Sequence, residues 1–348
     1  MASMKDVATI AGVSVSTVSR VINNTRPVDE NTRRQVIDAI EKVSYRPNLL
    51  ASGLRSKSGN LIGLAVPEIS EHSFDMFIKY TEERVRANRF GLILGDVHND
   101  PNDEADFIDH LIRRNVDGII FIRVSDDSRA LDMLDRTDIP YVVLDRGLFS
   151  AAAPTVVMDN HQCGSLAGGH LTSLGHREIA CVTGPLNVPL CRLRLAGFVS
   201  ALESEGVTLR ESNIFEGDFT FEGGIALAKS VVERQPRVTA VWAQNDLMAI
   251  GILAGLHDLG YSVPEQLSVV GVDDIGAGNM VRPRLTTVRQ PVEAMSAAAV
   301  DLLLRQRELG ERLSEQIIMP TELLVRESSA SVEAGTLSPY IRSAKETR

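Results

Sequence analysis

The first twenty residues carry side chains that suit the reading of DNA bases. Arg20 lies just over one helical turn beyond Val15 and Ser16, and its guanidinium can bond both O6 and N7 of a guanine. Val15 can make only apolar contact, for which a thymine methyl is the natural partner. Short hydroxyl side chains that suit phosphate contacts accompany them, and they are Ser3, Ser14, Thr17 and Ser19. The spacing predicts a helix whose N-terminal half faces base edges in the major groove.

Three short helices are needed to hold these side chains. Ser3 and Asp6 have the spacing of a capping box, which begins a first helix. Ser14 can cap the helix that is expected to read bases, because a serine oxygen accepts a hydrogen bond from an exposed amide of the first turn. Asp29 can cap a third helix in the same way. Residues 1–46 are therefore predicted to form a small all-α headpiece.

The headpiece sequence resembles that of the LacI/GalR family of transcription regulators. The match runs nearly residue for residue over residues 4–23, and the run Tyr45-Arg46-Pro47-Asn48 is also in its place. The resemblance extends to about residue 327, so a single motif does not carry it alone. It implies a helix-turn-helix that binds operator DNA, with Asn23 among the contacts.

Residues 47–60 are predicted to form a hinge segment that orders on DNA. Gly53 makes this stretch a poor autonomous helix, at a cost of about 1 kcal/mol relative to alanine. In the family, the segment folds on the operator, and Leu54 matches a leucine that wedges into the minor groove. Arg55 is then expected to contact the DNA; the alternative for Leu54 is an exposed linker leucine. Where many relatives carry Arg-Ser or Gln-Gln, this chain has Ser52-Gly53, which puts one usual phosphate contact in question.

From Leu61 onward, short apolar runs alternate with longer helical segments. The runs are continuous, as expected for parallel strands buried on both faces, and ligands then bind at the carboxyl ends of the strands. Roughly 270 residues of this pattern suit two lobes rather than one sheet. The clearest predicted strands are residues 61–66, 91–95, 118–122, 141–144, 179–182, 240–243 and 269–272.

The body resembles the periplasmic sugar-binding proteins, the ribose-binding protein most closely. In these proteins a sugar lies between two lobes, bonded to acids, arginine and asparagine and covered by aromatic rings. The resemblance implies a fold class of a small helix-turn-helix headpiece plus an α/β periplasmic-binding-protein-like domain of two doubly wound parallel-sheet lobes. The residues that match the effector contacts are Phe74, Asp145, Arg146, Arg194, Phe219, Asn245, Asp273 and Gln290.

The resemblance also sets the expected boundaries of the body. The two-lobed effector-binding and dimerisation domain spans residues 61–327. Its N-lobe is expected at about 61–160 plus 291–327, and its C-lobe at about 161–290. Residues 331–348 show no periodicity, and residues 328–348 are expected to form a flexible tail.

Several of these residues also have a purely structural interpretation. Asp145 and Arg146 could form a surface ion pair, and Phe219 could belong to the core. Asn245-Asp246 could be a helix cap, with Asp246 the expected capping residue. The joint occurrence of the matches in family order favours a binding site.

The chain departs from the family after its first strand. Where the family often has Asn-Pro-Phe-Phe, the chain has Glu71-His72-Ser73-Phe74. One aromatic side chain is lost and Phe74 remains to stack, so the effector is expected to differ from ribose in size or in the face it presents.

The charge is divided unevenly along the chain. The formal net charge is -10, from 36 basic and 46 acidic side chains, which by itself argues against a nucleic-acid partner. Residues 1–57 hold nine basic and five acidic side chains, which gives +4 there and -14 for the remainder. This distribution favours a DNA-binding arm on an acidic body.

Several classes of protein are not expected. The chain has no apolar run of about 18 residues and no secretory signal at its N-terminus. The three cysteines lack the spacing of a zinc site and suit a reducing, cytoplasmic setting; no metal or other cofactor is expected. Glycine-rich phosphate loops and nucleophile motifs are also missing, so the chain is not expected to be an enzyme.

The leading hypothesis is a repressor that binds a near-palindromic operator as a homodimer and is controlled by a small effector. A monosaccharide is the favoured effector, and a nucleoside or purine is the alternative. A sugar-binding transport component is a second, less favoured class. A dimer is expected because the C-terminal residues lack the leucine repeat of a tetramerising coiled coil.

Overall fold

The chain divides into two units, Met1–Asn60 and Leu61–Arg348. The structure is a computed structural model. It describes residues 2–23, 26–45, 59–69, 72–125, 129–147, 153–235 and 237–332. Leu54 and Arg55, and with them the predicted hinge contacts, lie outside these residues.

The described residues form eleven α-helices and twelve strands. The helices are α1 (Met4–Ala11), α2 (Val15–Asn23), α3 (Glu30–Lys42), α4 (His72–Ala87), α5 (Pro101–Arg113), α6 (Ala130–Asp135), α7 (Asn160–Ser173), α8 (Pro189–Ser204), α9 (Phe221–Arg234), α10 (Asp246–Asp258) and α11 (Val292–Leu309). The strands are β1 (Leu61–Val66), β2 (Gly91–Asp96), β3 (Gly118–Phe121), β4 (Tyr141–Leu144), β5 (Thr155–Met158), β6 (Ile179–Thr183), β7 (Ile214–Glu216), β8 (Ala240–Ala243), β9 (Ser268–Asp273), β10 (Thr286–Arg289), β11 (Gln316–Met319) and β12 (Glu322–Leu324).

The three predicted helices of the headpiece are confirmed as α1, α2 and α3. The Asp6 amide donates to Ser3 Oγ at 3.3 Å and the Ser3 amide donates to Asp6 Oδ2 at 2.7 Å, which completes the capping box. Asp29 caps α3 by accepting from the Thr32 amide at 3.0 Å. Gly12 ends α1 with φ 65°, a left-handed conformation that glycine adopts without strain.

Two parallel sheets form the body and define its two lobes. The first sheet has the order β2-β1-β3-β4-β5-β11, and all its strands run parallel. The second has the order β7-β6-β8-β9-β10-β12, in which only β12 runs antiparallel. The predicted fold class of the body, two doubly wound lobes, is confirmed.

Continuous apolar sequences produce strands that are buried on both faces. In β1, Ile62, Leu64 and Val66 join one core cluster, whereas Ala65 joins the cluster on the opposite face. Gly63 lies so close to α5 that a Cβ there would meet Leu111 at 2.3 Å. All seven predicted strands are present; β5, β7, β10, β11 and β12 were missed because they are short and mix polar with apolar residues.

The chain passes between the lobes three times, near Asn160, Pro291 and Pro320. The expected N-lobe return over 291–327 is wrong at its end, because β12 pairs with β10 in the second sheet. The second N-lobe segment therefore ends with β11, and the chain re-enters the C-lobe at β12.

The flexible tail was expected to begin at residue 328, but the residues up to Val332 are part of the C-lobe. Ser328 is buried, donates to the Val269 carbonyl at 2.6 Å and accepts from the Thr286 amide at 2.8 Å. The Val332 amide donates to the Leu174 carbonyl at 2.9 Å. Residues 328–332 belong to the C-lobe because these hydrogen bonds tie them to β9, to β10 and to the end of α7.

Candidate DNA-binding helix and ligand cleft

Helix α2 presents the predicted base-reading side chains to solvent. Val15, Ser16 and Arg20 are exposed, whereas Val18 and Val21 on the opposite side are buried in the headpiece core. The helix is therefore amphipathic in the sense needed for a groove-binding helix, with its polar face available.

The short hydroxyl side chains around α2 bond to one another. Ser14 Oγ lies 2.7 Å from Ser16 Oγ and 2.9 Å from Thr17 Oγ1, and it accepts from the Thr17 amide at 3.1 Å. Ser3 is also engaged, since its hydroxyl donates to Asp6 Oδ2 at 2.8 Å. Ser19 is half-buried on α2, and Asn23 is the last residue of that helix. These bonds order the first turns of α1 and α2, where phosphate contacts are expected.

The ligand cleft lies within the body, where the strand ends of the two lobes face each other. Seven of the eight predicted effector residues line one cavity, together with Phe77 and Leu190: Phe74, Asp145, Arg146, Arg194, Phe219, Asp273 and Gln290. The cavity measures about 30 Å³, which is room for little more than a water molecule. The lobes are thus closed on a lining of polar groups.

Arg194 is the central cation of the cleft, and it is fully buried on α8. Its Nε donates to Asn160 Oδ1 at 2.9 Å and its Nη1 to the Gln244 carbonyl at 2.6 Å. Helix α7 can approach this point because Gly164 has no side chain; a Cβ there would lie 1.9 Å from the Arg194 carbonyl oxygen. The guanidinium is therefore held by the first crossover and by the end of β8.

Asp145 and Gln290 join the N-lobe to a second crossover. Gln290 Nε2 donates to Asp145 Oδ1, and both residues are buried. Burial raises the pKa of Asp145, and the positive charges of Arg194 and Arg146 oppose that rise. This bond connects residues 145 positions apart, and a ligand hydroxyl that binds either group would compete with it.

Arg146 covers the aromatic ring that was expected to stack on the ligand. Its Cζ lies 5.4 Å from the centre of the Phe74 ring, which is within cation–π range. Its Nη1 also donates to the carbonyls of Arg123 at 3.3 Å and Val124 at 3.4 Å. Asp145 and Arg146 are lining residues of the cleft rather than a surface ion pair.

Asn245 does not line the cavity, because both ends of its amide are used by the protein. Asn245 Oδ1 accepts from the Met248 amide at 3.0 Å, and Nδ2 donates to the Phe219 carbonyl at 2.9 Å. Asn245, and not Asp246, is therefore the cap of α10. The amide fixes Phe219, whose φ is 66° and whose ring fills the space beside Gly184.

Asp246 lies behind the cleft as a buried carboxyl group. It accepts from Thr287 Oγ1 at 2.6 Å and from the Ile275 amide at 3.0 Å. The two hydrogen bonds favour the charged carboxylate and lower its pKa, but burial has the larger effect. The pKa of Asp246 is therefore raised to about 7. Asp246 therefore ties α10 to β10 and to the segment after Asp273.

Sequence reasoning missed Asn160 and Gln244, which hold Arg194. A signal was present for Gln244, because it directly follows β8 and precedes the recognised Asn245. Its Oε1 accepts from the Gly184 amide at 3.2 Å and its Nε2 donates to the Cys191 carbonyl at 3.0 Å, so it joins the residue after β6 to the first turn of α8.

Two global features of the described residues bear on function. They contain no group of three or more acids, histidines or cysteines that could hold a metal ion. None of the described helices combines the length and the apolar character that a membrane crossing requires.

Known proteins match both parts of the chain. Residues 3–48 match the family of bacterial regulatory proteins, lacI family, and residues 169–329 match the periplasmic binding protein-like domain. The chain is 34% identical over 330 residues to the HTH-type transcriptional repressor PurR of Vibrio vulnificus (strain CMCP6), with 94% of this chain and 98% of that protein covered.

Two solved structures show the same architecture. A lac repressor dimer bound to operator and the anti-inducer ONPF matches with a TM-score of 0.87 at 27% identity, covering 95% of this chain and 99% of that one. A complex of the transcriptional regulator CelR with cellobiose matches with a TM-score of 0.74 at 30% identity, covering 94% and 100%.

Proposed function

Because the chain belongs to the lacI family of bacterial regulatory proteins, and is thus a DNA-binding transcriptional repressor rather than an enzyme, we propose that a small hydroxylated effector controls it. The observation that carries the proposal is the cavity between the lobes, with Asp145, Arg194 and Asp273 on its wall. Carboxylates accept from sugar hydroxyls and the guanidinium donates to them. A monosaccharide is the effector that this lining favours.

The effector acts by changing the closure of the two lobes. A cavity of about 30 Å³ is too small for a sugar ring, so the lobes must separate to admit one. Ligand hydroxyls then compete with the Asp145–Gln290 bond at a crossover segment. An effector with different affinity for the two closures shifts their populations, and operator affinity changes with them.

The DNA complex is proposed to be a homodimer on a near-palindromic operator. Two copies of α2 then read two half-sites, with Arg20 and Val15 of each copy on base edges and the hydroxyls of Ser14, Ser16, Thr17 and Ser19 near phosphates. The similarity to a lac repressor dimer bound to operator supports this arrangement. Leu54 and Arg55 of the hinge are proposed to complete the contact through the minor groove.

An operator-release experiment tests the proposal. The purified full chain selects a duplex from a random library, and the Kd for that duplex is measured by fluorescence anisotropy. Ribose, glucose, galactose, adenosine and inosine are then added in turn. We expect one sugar to change the Kd by at least about fivefold.

Two variants separate the two sites. Asp273→Asn is expected to keep operator affinity and lose the sugar response, because one acceptor of the cleft is removed. Arg20→Ala is expected to weaken operator binding by about 1–3 kcal/mol while sugar binding persists. A response confined to nucleosides would replace the sugar class by the nucleoside class, and no response to any of the five compounds would contradict the effector proposal.

A further inference from the structure

The turn that carries Asp273 has an unfavourable backbone conformation. Asp273 is the last residue of β9, it lines the cleft, and its φ is 115°. The next residue, Asp274, has φ 63°. Residues other than glycine rarely take positive φ values, and they keep them only where the surrounding structure holds them. Contacts around this turn must therefore fix two such residues in succession.

The side chain of Asp274 makes the first of these contacts. Its Oδ1 accepts from Arg326 Nη2, and its Oδ2 accepts from Arg289 Nε at 2.9 Å. Both oxygens of this carboxylate are thus bonded to arginines of the C-lobe. The two neighbouring aspartates therefore have different environments, because Asp273 lines the cleft and Asp274 is engaged by the protein.

Arg326 is the better anchored of the two arginines. Its Nη1 donates to the Leu285 carbonyl at 2.9 Å, and its amide donates to Thr286 Oγ1 at 3.0 Å. Only 13% of its side chain and 14% of that of Asp274 are exposed, so solvent and salt screen this ion pair weakly. The pair joins the turn after β9 to the start of β10 and to the chain after β12.

Arg289 is the weaker partner. Its side chain is 46% exposed, and its Nη1 is shared with Glu322 Oε2 at 3.3 Å. Exposed ion pairs of this kind contribute little to stability. Arg326 is therefore the main partner of Asp274.

Backbone hydrogen bonds fix the residues on either side of Asp274. The Asp273 carbonyl accepts from the Gln290 amide at 3.3 Å. The Ile275 amide donates to Asp246 Oδ2 at 3.0 Å. The side-chain ion pair with Arg326 holds the residue between these two points, so it completes the support of the turn.

We propose that Asp274 and Arg326 form a positioning pair, which holds the turn after β9 so that the Asp273 carboxylate is directed at a hydroxyl of the effector. The inference rests on the proposed effector cleft. It makes Arg326 a determinant of effector affinity through Asp274 and Asp273 rather than by contact with the effector. A carboxylate that is already held in its binding direction loses little conformational freedom on binding, which lowers the Kd.

A double-mutant cycle on the full chain tests the pair. Asp274→Asn removes the charge and keeps a residue type that tolerates positive φ, and Arg326→Gln removes the other charge. Ribose, glucose, galactose, adenosine and inosine are titrated by calorimetry. For the compound that binds the unchanged protein, we expect each single variant and the double variant alike to raise the Kd about tenfold, which corresponds to 1.4 kcal/mol. Independent effects would instead give a Kd about a hundredfold higher in the double variant.

Two further variants separate positioning from a loss of folded structure. Arg326→Lys keeps the positive charge and is expected to restore the Kd to within about threefold of the unchanged protein. Arg284→Gln is the matched control, because Arg284 forms an exposed ion pair with Glu327, the residue next to Arg326, at 2.9 Å. It should leave the Kd within about twofold. Operator affinity should stay within about twofold in every variant, since the headpiece is a separate unit.

Amide hydrogen exchange tests the same pair without an effector. In Arg326→Gln, we expect exchange over residues 268–291 to be about tenfold faster, because the turn opens more often. Exchange in α9, which lies in the same lobe and takes no part in these contacts, should stay unchanged.

The outcomes distinguish this inference from the proposed function. Effector Kd values for Asp274→Asn and Arg326→Gln within twofold of the unchanged protein would overturn the positioning pair and leave the effector in place. Additive losses in the double variant, or unchanged exchange over residues 268–291, would also overturn it. Binding of none of the five compounds by the unchanged protein would overturn the proposed effector, and the positioning role with it.

Discussion

Arg194 owes its role in the cleft to the geometry of a guanidinium. Its planar fork reaches Asn160 and the Gln244 carbonyl at the same time, at 2.9 and 2.6 Å. A lysine amine is a single point donor on a flexible stem, so it cannot reproduce both bonds and still face the cavity. The residue therefore links the first crossover to the wall of the cleft.

Replacing Arg194 by lysine tests this link. We expect Arg194→Lys to retain operator binding, to abolish the effector response and to lower the free energy of unfolding by about 3 kcal/mol, because buried acceptors lose a charged partner. Urea unfolding and operator release measure the two effects. Arg192→Lys, an exposed change two residues earlier, should cost less than about 0.5 kcal/mol and leave the response intact. An Arg194→Lys protein that responds normally would show that the guanidinium is not needed.

Helices α7 and α8 provide the clearest case in which an element is positioned by the absence of side chains. A Cβ on Gly164 would lie 1.9 Å from the Arg194 carbonyl oxygen, and one on Gly197 would lie 1.9 Å from the His161 carbonyl oxygen. The two helices thus meet backbone to backbone. This contact fixes how far Arg194 projects into the cleft.

The contrast between two glycines of α7 gives a matched prediction. We expect Gly164→Ala to destabilise the protein by about 3 kcal/mol, because backbone atoms of α8 must move. Gly169→Ala on the same helix should instead stabilise it by about 0.5–1 kcal/mol, since nothing lies within 4 Å of its Cβ and alanine favours the helix. Guanidinium unfolding measures both changes. Equal effects of the two substitutions would mean that the helices separate without cost.

At the scale of the whole molecule, two buried groups make opposite contributions to stability as the pH changes. Burial raises the pKa of Asp246 to about 7 from 3.8, so its contribution to stability falls as pH rises from about 4 to 7. Burial lowers the pKa of His176 to about 4 from 6.5, so its contribution rises with pH over nearly the same window. His176 is buried and donates from Nε2 to the Ala330 carbonyl at 3.1 Å.

Replacing Asp246 and His176 separately should reveal how each group changes the free energy of unfolding with pH. Relative to the unchanged protein, Asp246→Asn should gain stability with increasing pH between about 4.5 and 6.5, by up to about 1.4 kcal/mol per pH unit. His176→Gln should lose stability with increasing pH over the same interval. Thermal unfolding across that pH range measures both differences. Parallel curves for all three proteins would show that neither group titrates differently in the folded state.

Local features made the headpiece predictable. Ser3, Asp29 and Gly12 act on backbone groups within four residues, so the ends of α1 and the start of α3 follow from adjacent sequence. The apolar runs of β1 and β4 are equally local signals, because burial on both faces requires apolar residues at every position. Strand β12 carried no such signal; its pairing with β10 is a long-range contact, and its partner cannot be read from its own three residues.

The sequence by itself determined the two kinds of domain, the exposed face of α2 and most of the residues that line the cleft. It also determined where the charge lies, with the positive excess in the first 57 residues. Only the tertiary structure decided that Asn245 serves Phe219 instead of the cavity, that Asp145 bonds to Gln290, and that Asp274 bonds to Arg326. The physical reason is that these features arise between residues tens to more than a hundred positions apart, and no periodicity or cap records which of them meet.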